Sequence, residues 1–359
     1  MGQFAIPTGV GRRVIVRQLW FNGPRQIEIR EQRLPQLESG QMLVKSVCSA
    51  ISAGTEMLVY RGQLPTDIAL DASLATLQQQ AAYPLQYGYA CVGRVEQIGD
   101  GVDAAWLNQR VFSFQPHASH FIATADQLIA LPDNVEPEAA VFLANMETAV
   151  NLVLDGSPAL GERVVVLGQG IVGLLLSSIL ARFPLAQLLA LDEINKRRNY
   201  AEWLGVHRTF DPKSDRQITE LKEALRLPVE LSATPNAGAD LIYEVSGAPT
   251  ALNLAIELCS YSGRIVIGSW YGSKSAAVQL GGVAHRNRIQ FISSQVSSIA
   301  PELSGRWDKA RRFQQAWQMI KRVKPQALIS HRVPIDQAAD IYQLLDQAPK
   351  QVLQAIFIY

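Results

Sequence analysis

Cysteine is scarce in this sequence. Only three occur among 359 residues, at Cys48, Cys91 and Cys259. They lie far apart and form no C-x-x-C pair, so neither a disulfide framework nor a structural zinc site is expected. This cysteine usage is typical of a reducing compartment, and we expect a cytoplasmic location.

The chain also lacks an excess of charge and a long apolar run. Its 33 basic and 32 acidic residues give a net charge of +1, and no block of like charge exceeds a few residues. This balance argues against a nucleic-acid or membrane-surface partner. The longest apolar run, residues 171–181, is shorter than the roughly 20 residues that span a bilayer, and the N-terminus lacks a secretory pattern. A small-molecule substrate is the expected partner.

The length of the chain exceeds what one hydrophobic core usually supports, so two domains are expected. Residues 1–148 contain short β-rich runs separated by Gly, Pro and Asn, which predicts a mostly β domain. The predicted strands are 14–21, 26–31, 41–52, 93–98 and 110–114. We expect residues 299–359 to rejoin this domain through an apolar run at 352–359, after helices at 306–323 and 336–347 and a strand at 329–334.

From residue 161 the pattern changes to apolar strands that alternate with helices. The predicted strands are 163–167, 187–191, 209–211, 241–244, 264–269 and 289–293, and the helices are 171–183, 196–204, 219–226 and 249–258. Such alternation is typical of a parallel sheet covered on both faces. Residues 149–298 are therefore predicted to form a Rossmann, doubly wound, six-stranded α/β domain.

A glycine pattern follows the first of these strands. Gly168, Gly170 and Gly173 have G-x-G-x-x-G spacing, and Asp192 ends the next strand. The first glycine permits a tight turn, the second lets the backbone approach a pyrophosphate, and the third lets the helix pack closely. This context predicts a dinucleotide cofactor, although a glycine-rich turn that binds nothing has the same spacing. The acid favours NAD(H), whereas Lys196, Arg197 and Arg198 leave NADP(H) possible.

Several phrases, in order and over nearly the whole chain, resemble the medium-chain dehydrogenase/reductase superfamily. They are residues 192–205, 238–247, 262–268 and 329–334. The resemblance implies a GroES-like catalytic domain beside the Rossmann domain, and a homodimer joined near residues 289–296. Together with the glycine pattern it implies cofactor contacts at Gly168, Gly170, Ile171, Val172, Gly173, Asp192, Arg197, Ser246, Gly247, Gly268, Ser269 and Ser293 or Ser294.

The sequence departs from this family at its catalytic zinc ligands. Where many members have a cysteine, this chain has Ser52 or Ala53, and where they have Gly-His-Glu it reads Gly88-Tyr89-Ala90. A catalytic zinc needs three protein ligands, and only Glu147 and Glu56 could serve near these positions. The structural zinc lobe is also missing. We therefore expect a zinc-independent enzyme with no metal.

The remaining polar residues supply candidates for proton transfer. Tyr89 is the first choice because a phenol can donate to a developing alkoxide, and Ser52 and Thr55 could relay the proton. His120 is a further catalytic candidate because imidazole titrates near neutrality. Candidates that line the substrate are His117, Glu147, Tyr60 and Trp270. The structural alternatives are a packed aromatic ring, turn hydroxyls, loop histidines and, for Glu147, a helix cap.

The stretch between residues 60 and 87 is longer than the usual family link. Residues 68–82 have helical periodicity, with Leu70, Leu74 and Leu77 on one face, and could form either a lid or an extra surface helix. The nearby aromatic residues favour a bulky or aromatic substrate. Residues 49–56 and 87–89 resemble a zinc-free branch that includes bacteriochlorophyllide hydroxyethyl dehydrogenase-like and threonine dehydrogenase-like proteins.

Three functions fit these residues. The first is a zinc-independent, NAD(H)-dependent oxidoreductase that transfers hydride between nicotinamide and an alcohol or carbonyl. The second keeps the cofactor but reduces the C=C bond of an enone or quinone. The third is a catalytically silent protein that binds nicotinamide cofactors as a sensor.

Overall fold

The computed structural model describes residues 14–64, 82–226 and 238–359. Its two large sheets are built from different parts of the chain. A third, two-stranded sheet pairs β1 (Ile15–Gly23) with β2 (Gln26–Arg33) in antiparallel register. No helix in the described ranges is long and apolar enough to cross a membrane.

The first large sheet has seven strands and belongs to the mostly β part of the molecule. Its path runs β14-β15-β3-β4-β5-β7, and β6 pairs with β3. The strands are β3 (Gln41–Ala50), β4 (Cys91–Ile98), β5 (Arg110–Ser113), β6 (His120–Thr124), β7 (Ile129–Ala130), β14 (Ile329–Pro334) and β15 (Gln354–Ile358). The tail thus rejoins this sheet as expected, since Ile356 of β15 lies opposite Ala50 of β3.

The second large sheet has six parallel strands in the order β10-β9-β8-β11-β12-β13. They are β8 (Arg163–Leu167), β9 (Gln187–Leu191), β10 (Arg208–Phe210), β11 (Ala239–Glu244), β12 (Cys259–Ile267) and β13 (Gln290–Ser293). Val164, Val165 and Val166 are all fully buried because helices cover both faces of the sheet. The strand order reverses between β8 and β11, where sheets of this kind bind ligands.

Nine α-helices connect and cover the sheets within the described ranges. They are α1 (Ala53–Arg61), α2 (Pro137–Ala140), α3 (Leu143–Gly156), α4 (Ile171–Leu180), α5 (Asn195–Trp203), α6 (Asp215–Ala224), α7 (Ala251–Leu258), α8 (Lys309–Val323) and α9 (Ala338–Gln347). Helix α3 packs against both α4 and α8. One apolar core includes Val92 and Phe112 of the first sheet and Val164 and Val166 of the second. The two sheets therefore share buried surface.

The predicted fold class is confirmed: a mostly β, GroES-like part accompanies a Rossmann-type parallel sheet. The predicted strand at 41–52 ends earlier, at Ala50, because the chain turns into α1. Helices α1, α2 and α3 and strands β6 and β7 were not predicted. The predicted helix at 68–82 lies almost wholly outside the described residues. The domain boundaries at 148/149 and 298/299 stay predictions.

Candidate active site

The glycine turn after β8 leaves space at one glycine and none at the other two. A Cβ at Gly168, which has a φ of +96°, would lie 2.5 Å from the Ser246 Cα, and one at Gly173 would lie 2.0 Å from the Gly168 oxygen. A Cβ at Gly170 would meet no described atom within 4 Å. Gly170 also precedes the first turn of α4, formed by Ile171 and Val172, where a helix N-terminus favours an anion.

Asp192 lies beside this turn at the end of β9. Its Oδ2 accepts from the Gln169 backbone N–H at 2.8 Å, and its Oδ1 accepts from that of Ile194 at 2.8 Å. Arg197 approaches the same carboxylate at 3.8 Å. Because a carboxylate offers about four acceptor sites, Asp192 retains capacity for ribose hydroxyls. The open space at Gly170 and this acid fit a nicotinamide dinucleotide.

The residues predicted on the nicotinamide side meet at the ends of β11 and β12. Gly247 N–H donates to Ser269 Oγ at 2.9 Å, and Gly268 N–H donates to the Glu244 carbonyl at 2.9 Å. Glu244, which sequence reasoning missed, also accepts from Ser246 N–H at 2.8 Å. The sequence signal that could have identified Glu244 was an acidic residue at the end of a buried parallel strand.

Tyr271, also missed as a site residue, completes this arrangement. Its hydroxyl lies 2.5 Å from Glu244 Oε2, and burial together with that acid raises the pKa of Tyr271 well above its usual range. The phenol therefore stays protonated and donates. Ser294 N–H donates to the Ile267 carbonyl at 2.9 Å, while its hydroxyl donates to Asp155 at 2.6 Å. Ser293 is the last, exposed residue of β13.

Three of the predicted catalytic residues form one hydroxyl cluster. The Tyr89 hydroxyl is hydrogen-bonded to Ser52 Oγ and lies 3.4 Å from Thr55 Oγ1. Ser52 precedes α1, and Thr55 lies in its first turn. Tyr89 packs against two of the apolar cores that include residues of the first sheet, and one of these continues into the six-stranded sheet. The three hydroxyls of Tyr89, Ser52 and Thr55 are thus brought together, as the family resemblance led us to expect.

His117 does not line a cleft, and that prediction is corrected. Its side chain is 0% exposed, as is that of Glu56, and its Nε2 lies 3.0 Å from Glu56 Oε2. Its Nδ1 lies 2.7 Å from Ser49 Oγ. Sequence reasoning missed this pair because Glu56 and His117 are 61 residues apart in the chain.

His120 is not brought together with the hydroxyl cluster. It begins β6 opposite Lys45 of β3, and its ring contacts Ser119 Oγ at 3.2 Å and Glu96 at 3.7 Å. Burial lowers the pKa of His120, which favours a neutral ring. The contacts of this ring lie along β3, β4 and β6, and its predicted catalytic role stays a prediction.

Of the other substrate-lining predictions, that for Glu147 is corrected, whereas those for Tyr60 and Trp270 stay predictions. Glu147 lies within α3 and forms a buried ion pair with Arg312 at 2.8 Å, so it neither faces a substrate nor caps a helix. Tyr60 is buried against Tyr342, with ring centroids 5.5 Å apart, and borders a cavity of about 330 Å³ between β2 and α9. Trp270 is 38% exposed and follows Ser269 beside the nicotinamide side.

The side chains at the hydroxyl cluster do not fit a zinc ion. Within the described ranges, no group of three or more His, Cys, Asp or Glu side chains is arranged to hold a metal. Both oxygens of Glu56 already accept hydrogen bonds. Burial raises the pKa of the nearby Cys91 thiol to about 12, which disfavours the thiolate that zinc requires.

Comparison with known proteins gives a consistent class. Residues 172–321 match the family model described as zinc-binding dehydrogenase. The chain is 22% identical over 378 residues to the starvation-sensing protein RspB of Escherichia coli, over 96% of this chain and 99% of that protein. It is 24% identical over 307 residues to (R,R)-butanediol dehydrogenase of Bacillus subtilis, over 78% of this chain and 82% of that enzyme.

A solved structure agrees in fold. The short chain alcohol dehydrogenase RspB of Escherichia coli, complexed with NADH, has a TM-score of 0.75 at 19% identity, over 96% of this chain and 99% of that one. The family model, the two relatives and this structure thus make the chain similar to dehydrogenases in sequence and in fold. Zinc use and the particular branch stay predictions.

Proposed function

We propose that this chain is a zinc-independent, nicotinamide-dependent oxidoreductase that interconverts an alcohol and a carbonyl compound. The observation that carries the proposal is the hydroxyl cluster of Tyr89, Ser52 and Thr55. The family resemblance would put a zinc ligand at Tyr89 and at Ser52 or Ala53. A reaction at an alcohol or carbonyl needs a proton donor or acceptor at the substrate oxygen, and this cluster supplies one.

The glycine turn and Asp192 would hold the cofactor. Gly170 leaves space for its phosphates, and the short acid at the end of β9 favours NAD(H) because it repels a 2′-phosphate. When bound, the nicotinamide accepts or supplies the hydride. Ser246, Gly247, Gly268 and Ser269 border the ends of β11 and β12, where they would contact its nicotinamide side.

Tyr89 holds the proton at its phenolic oxygen and donates it to the substrate oxygen during carbonyl reduction. The reverse reaction returns it. A phenol has one hydrogen, so it cannot donate to Ser52 and Thr55 at once; their hydroxyls can rotate and donate to the Tyr89 oxygen. Such donation stabilises the phenolate that remains after transfer. Trp270, which is 38% exposed and follows Ser269, suits a bulky or aromatic substrate.

The same proposal includes a homodimer. Strand β13 is the outer strand of the six-stranded sheet, so one side of its backbone has no strand partner within the described residues. Phe291 of this strand is 39% exposed. An edge strand with an exposed aromatic residue favours pairing with a second copy across a two-fold axis.

The test compares Tyr89→Phe with Tyr83→Phe as a control. In the wild-type chain the Tyr83 hydroxyl donates to the Val59 carbonyl, away from the cluster. Metal-free protein is titrated with NADH and NADPH, and the better ligand is used with aldehydes, ketones, enones and quinones in the presence of a zinc chelator. We expect chelator-resistant carbonyl reduction that falls about 10²–10⁴-fold in Tyr89→Phe alone, the range for general acid catalysis.

Other outcomes separate the alternatives. Turnover of enones or quinones only would replace the proposal with C=C reduction. Cofactor binding without turnover of any class would favour the sensor. Activity lost on chelation would contradict the zinc-free mechanism.

A further inference from the structure

The side chain of Ser52 does not perform its ordinary task at the start of α1. A serine at the N-cap usually accepts a hydrogen bond from a backbone N–H in the first helical turn. Within α1, all of which the structure describes, the Ser52 side chain makes no such bond. Its hydroxyl is paired with Tyr89 instead.

Glu56 fixes the same backbone position from inside the helix. Its Oε1 accepts from the Ser52 N–H at 2.7 Å, and its own N–H donates to the Ser52 carbonyl at 2.7 Å. The backbone of Ser52 is therefore held on both sides without its hydroxyl. A capping box achieves a related exchange but uses the serine hydroxyl as well.

A buried network holds the other oxygen of Glu56. Oε2 lies 3.0 Å from His117 Nε2 and accepts from the Tyr342 hydroxyl of α9. On the far side of the ring, Ser49 Oγ lies 2.7 Å from His117 Nδ1 and 2.7 Å from the Tyr359 hydroxyl. One donor order uses every hydrogen: Tyr359 donates to Ser49, Ser49 to His117, and His117 to Glu56.

Burying this polar network costs free energy of folding, so we expect the network to serve a function. Burying a carboxylate is unfavourable even when it is well paired, and an apolar replacement of similar volume often gives equal stability. Burial and the nearby Glu56 raise the pKa of Tyr342 far above its usual range, so its phenol remains a donor to the carboxylate. The network therefore holds Glu56 in one orientation from α9, from β3 and from the segment before β6.

We propose that Glu56 and His117 are positioning residues that hold Ser52 so that its hydroxyl is available to Tyr89. Their task is to keep the hydroxyl cluster assembled, and neither touches the reacting atoms. This inference rests on the proposed function, because it assigns the network's role through Tyr89. Small misplacement of a reacting group lowers turnover strongly, by as much as about 100-fold for 1 Å.

The test is a double-mutant cycle with Glu56→Gln and Tyr89→Phe. We expect Glu56→Gln to lower kcat about 10- to 100-fold while the Kd for NADH changes less than about twofold, within the scatter of independent sites. In the Tyr89→Phe background the same change should have almost no further effect on kcat, since residues that act as a unit are not additive. A merely structural role would lower kcat by the same factor in both backgrounds.

Tyr342→Phe provides a second variant if Glu56→Gln does not fold. It keeps the aromatic ring, which packs 5.4 Å from that of Phe21, and removes one donor to Glu56. We expect a smaller loss of kcat that again disappears in the Tyr89→Phe background. Glu147→Gln is the matched control, because it perturbs a buried acid that lies outside this network. Its folded fraction should keep its kcat.

These measurements distinguish a failure of the proposed function from a failure of the inference about Glu56 and His117. Full activity of Tyr89→Phe overturns the proposed function and, with it, this inference. Loss of activity in Tyr89→Phe with unchanged kcat in both folded Glu56→Gln and Tyr342→Phe overturns the inference alone. Equal losses in the two backgrounds also overturn it.

Discussion

Arg312 of α8 and Glu147 of α3 form an ion pair at 2.8 Å with side chains that are only 1% and 4% exposed. Arg312 also donates to Asn151 Oδ1 at 2.6 Å and to the carbonyls of Val296 and Ser298. One guanidinium thus joins α8 to α3 and to the segment that follows β13. This segment begins beside the predicted nicotinamide site.

We expect Arg312→Met to destabilise the protein by about 3–5 kcal/mol, because it leaves Glu147 buried without its partner. Urea unfolding measures the loss. The control is Arg332→Met, which breaks the exposed Arg332–Glu138 pair at 2.7 Å and should cost less than about 1 kcal/mol. Equal costs for both variants would show that burial does not decide the strength of the first pair.

The same acid gives a pH dependence with a defined sign. Burial raises the pKa of Glu147 above its ordinary value of 4.5, although Arg312 opposes the shift. The folded state then binds this proton more readily than the unfolded state, so the group's contribution to stability falls as the pH rises above 4.5. In Glu147→Gln this part of the slope of unfolding free energy against pH should vanish. An unchanged slope would contradict the shift.

The glycine turn separates effects on folding from effects on cofactor binding. Gly173→Ala places a Cβ 2.0 Å from the Gly168 oxygen, so we expect lower thermal stability and lost NADH binding. In Gly170→Ala the new Cβ meets no described atom within 4 Å, so the variant should keep the wild-type thermal stability. Its affinity for NADH should fall about tenfold or more, which corresponds to a loss of about 1.4 kcal/mol of binding free energy. Gly305→Ala, also in open space, is the control for both measurements. Unchanged affinity in Gly170→Ala would place the phosphates elsewhere.

Asp192 is predicted to set the choice between the two nicotinamide cofactors. Asp192→Asn removes the charge that repels a 2′-phosphate, so the ratio of NADPH to NADH affinity should rise by about tenfold. Glu193→Gln is a matched control, since this neighbouring acid is half exposed and pairs with Lys213 at 2.7 Å. Fluorescence titration gives both dissociation constants. A similar rise in both variants would indicate only a general field effect.

The proposed dimer predicts a change in mass. Phe291→Lys puts a charge on the exposed side of β13 and should convert a dimer to a monomer, as measured by light scattering. Trp203→Lys, on the exposed face of α5 at the other side of the nucleotide-binding part, should leave the dimer intact. A monomeric wild-type protein would refute the proposal at once.

Sequence reasoning succeeded where the pattern is local. Strands β8 and β9 have the predicted bounds because their apolar runs are buried on both faces and end at glycine or aspartate. It failed at α1, where Gly54 and Thr55 are poor helix formers and nine residues give little periodicity. Tertiary contacts, including the bond between Glu56 and Tyr342, decide that segment.

The site was predictable in part for the same reason. Ser52 and Tyr89 could be named because the family resemblance expects other residues near those positions, and Thr55 because it expects a hydroxyl there. In the structure, the Tyr89 hydroxyl contacts the hydroxyls of both Ser52 and Thr55. The roles of Glu147 and His117 could not be read from the sequence because their partners are distant in the chain: Arg312 lies 165 residues from Glu147.

Strand β15 has a consequence for the order of folding. It lies between β14 and β3 in the sheet. This pairing places Ile356 opposite Ala50, although the two residues are more than 300 positions apart in the chain. All strands of the nucleotide-binding sheet come from residues 163–293, so that sheet can assemble during synthesis from contiguous chain. The sheet next to Ser52 and Tyr89 must wait for residues 354–358, so we expect the hydroxyl cluster proposed for proton transfer to be completed after the six-stranded sheet.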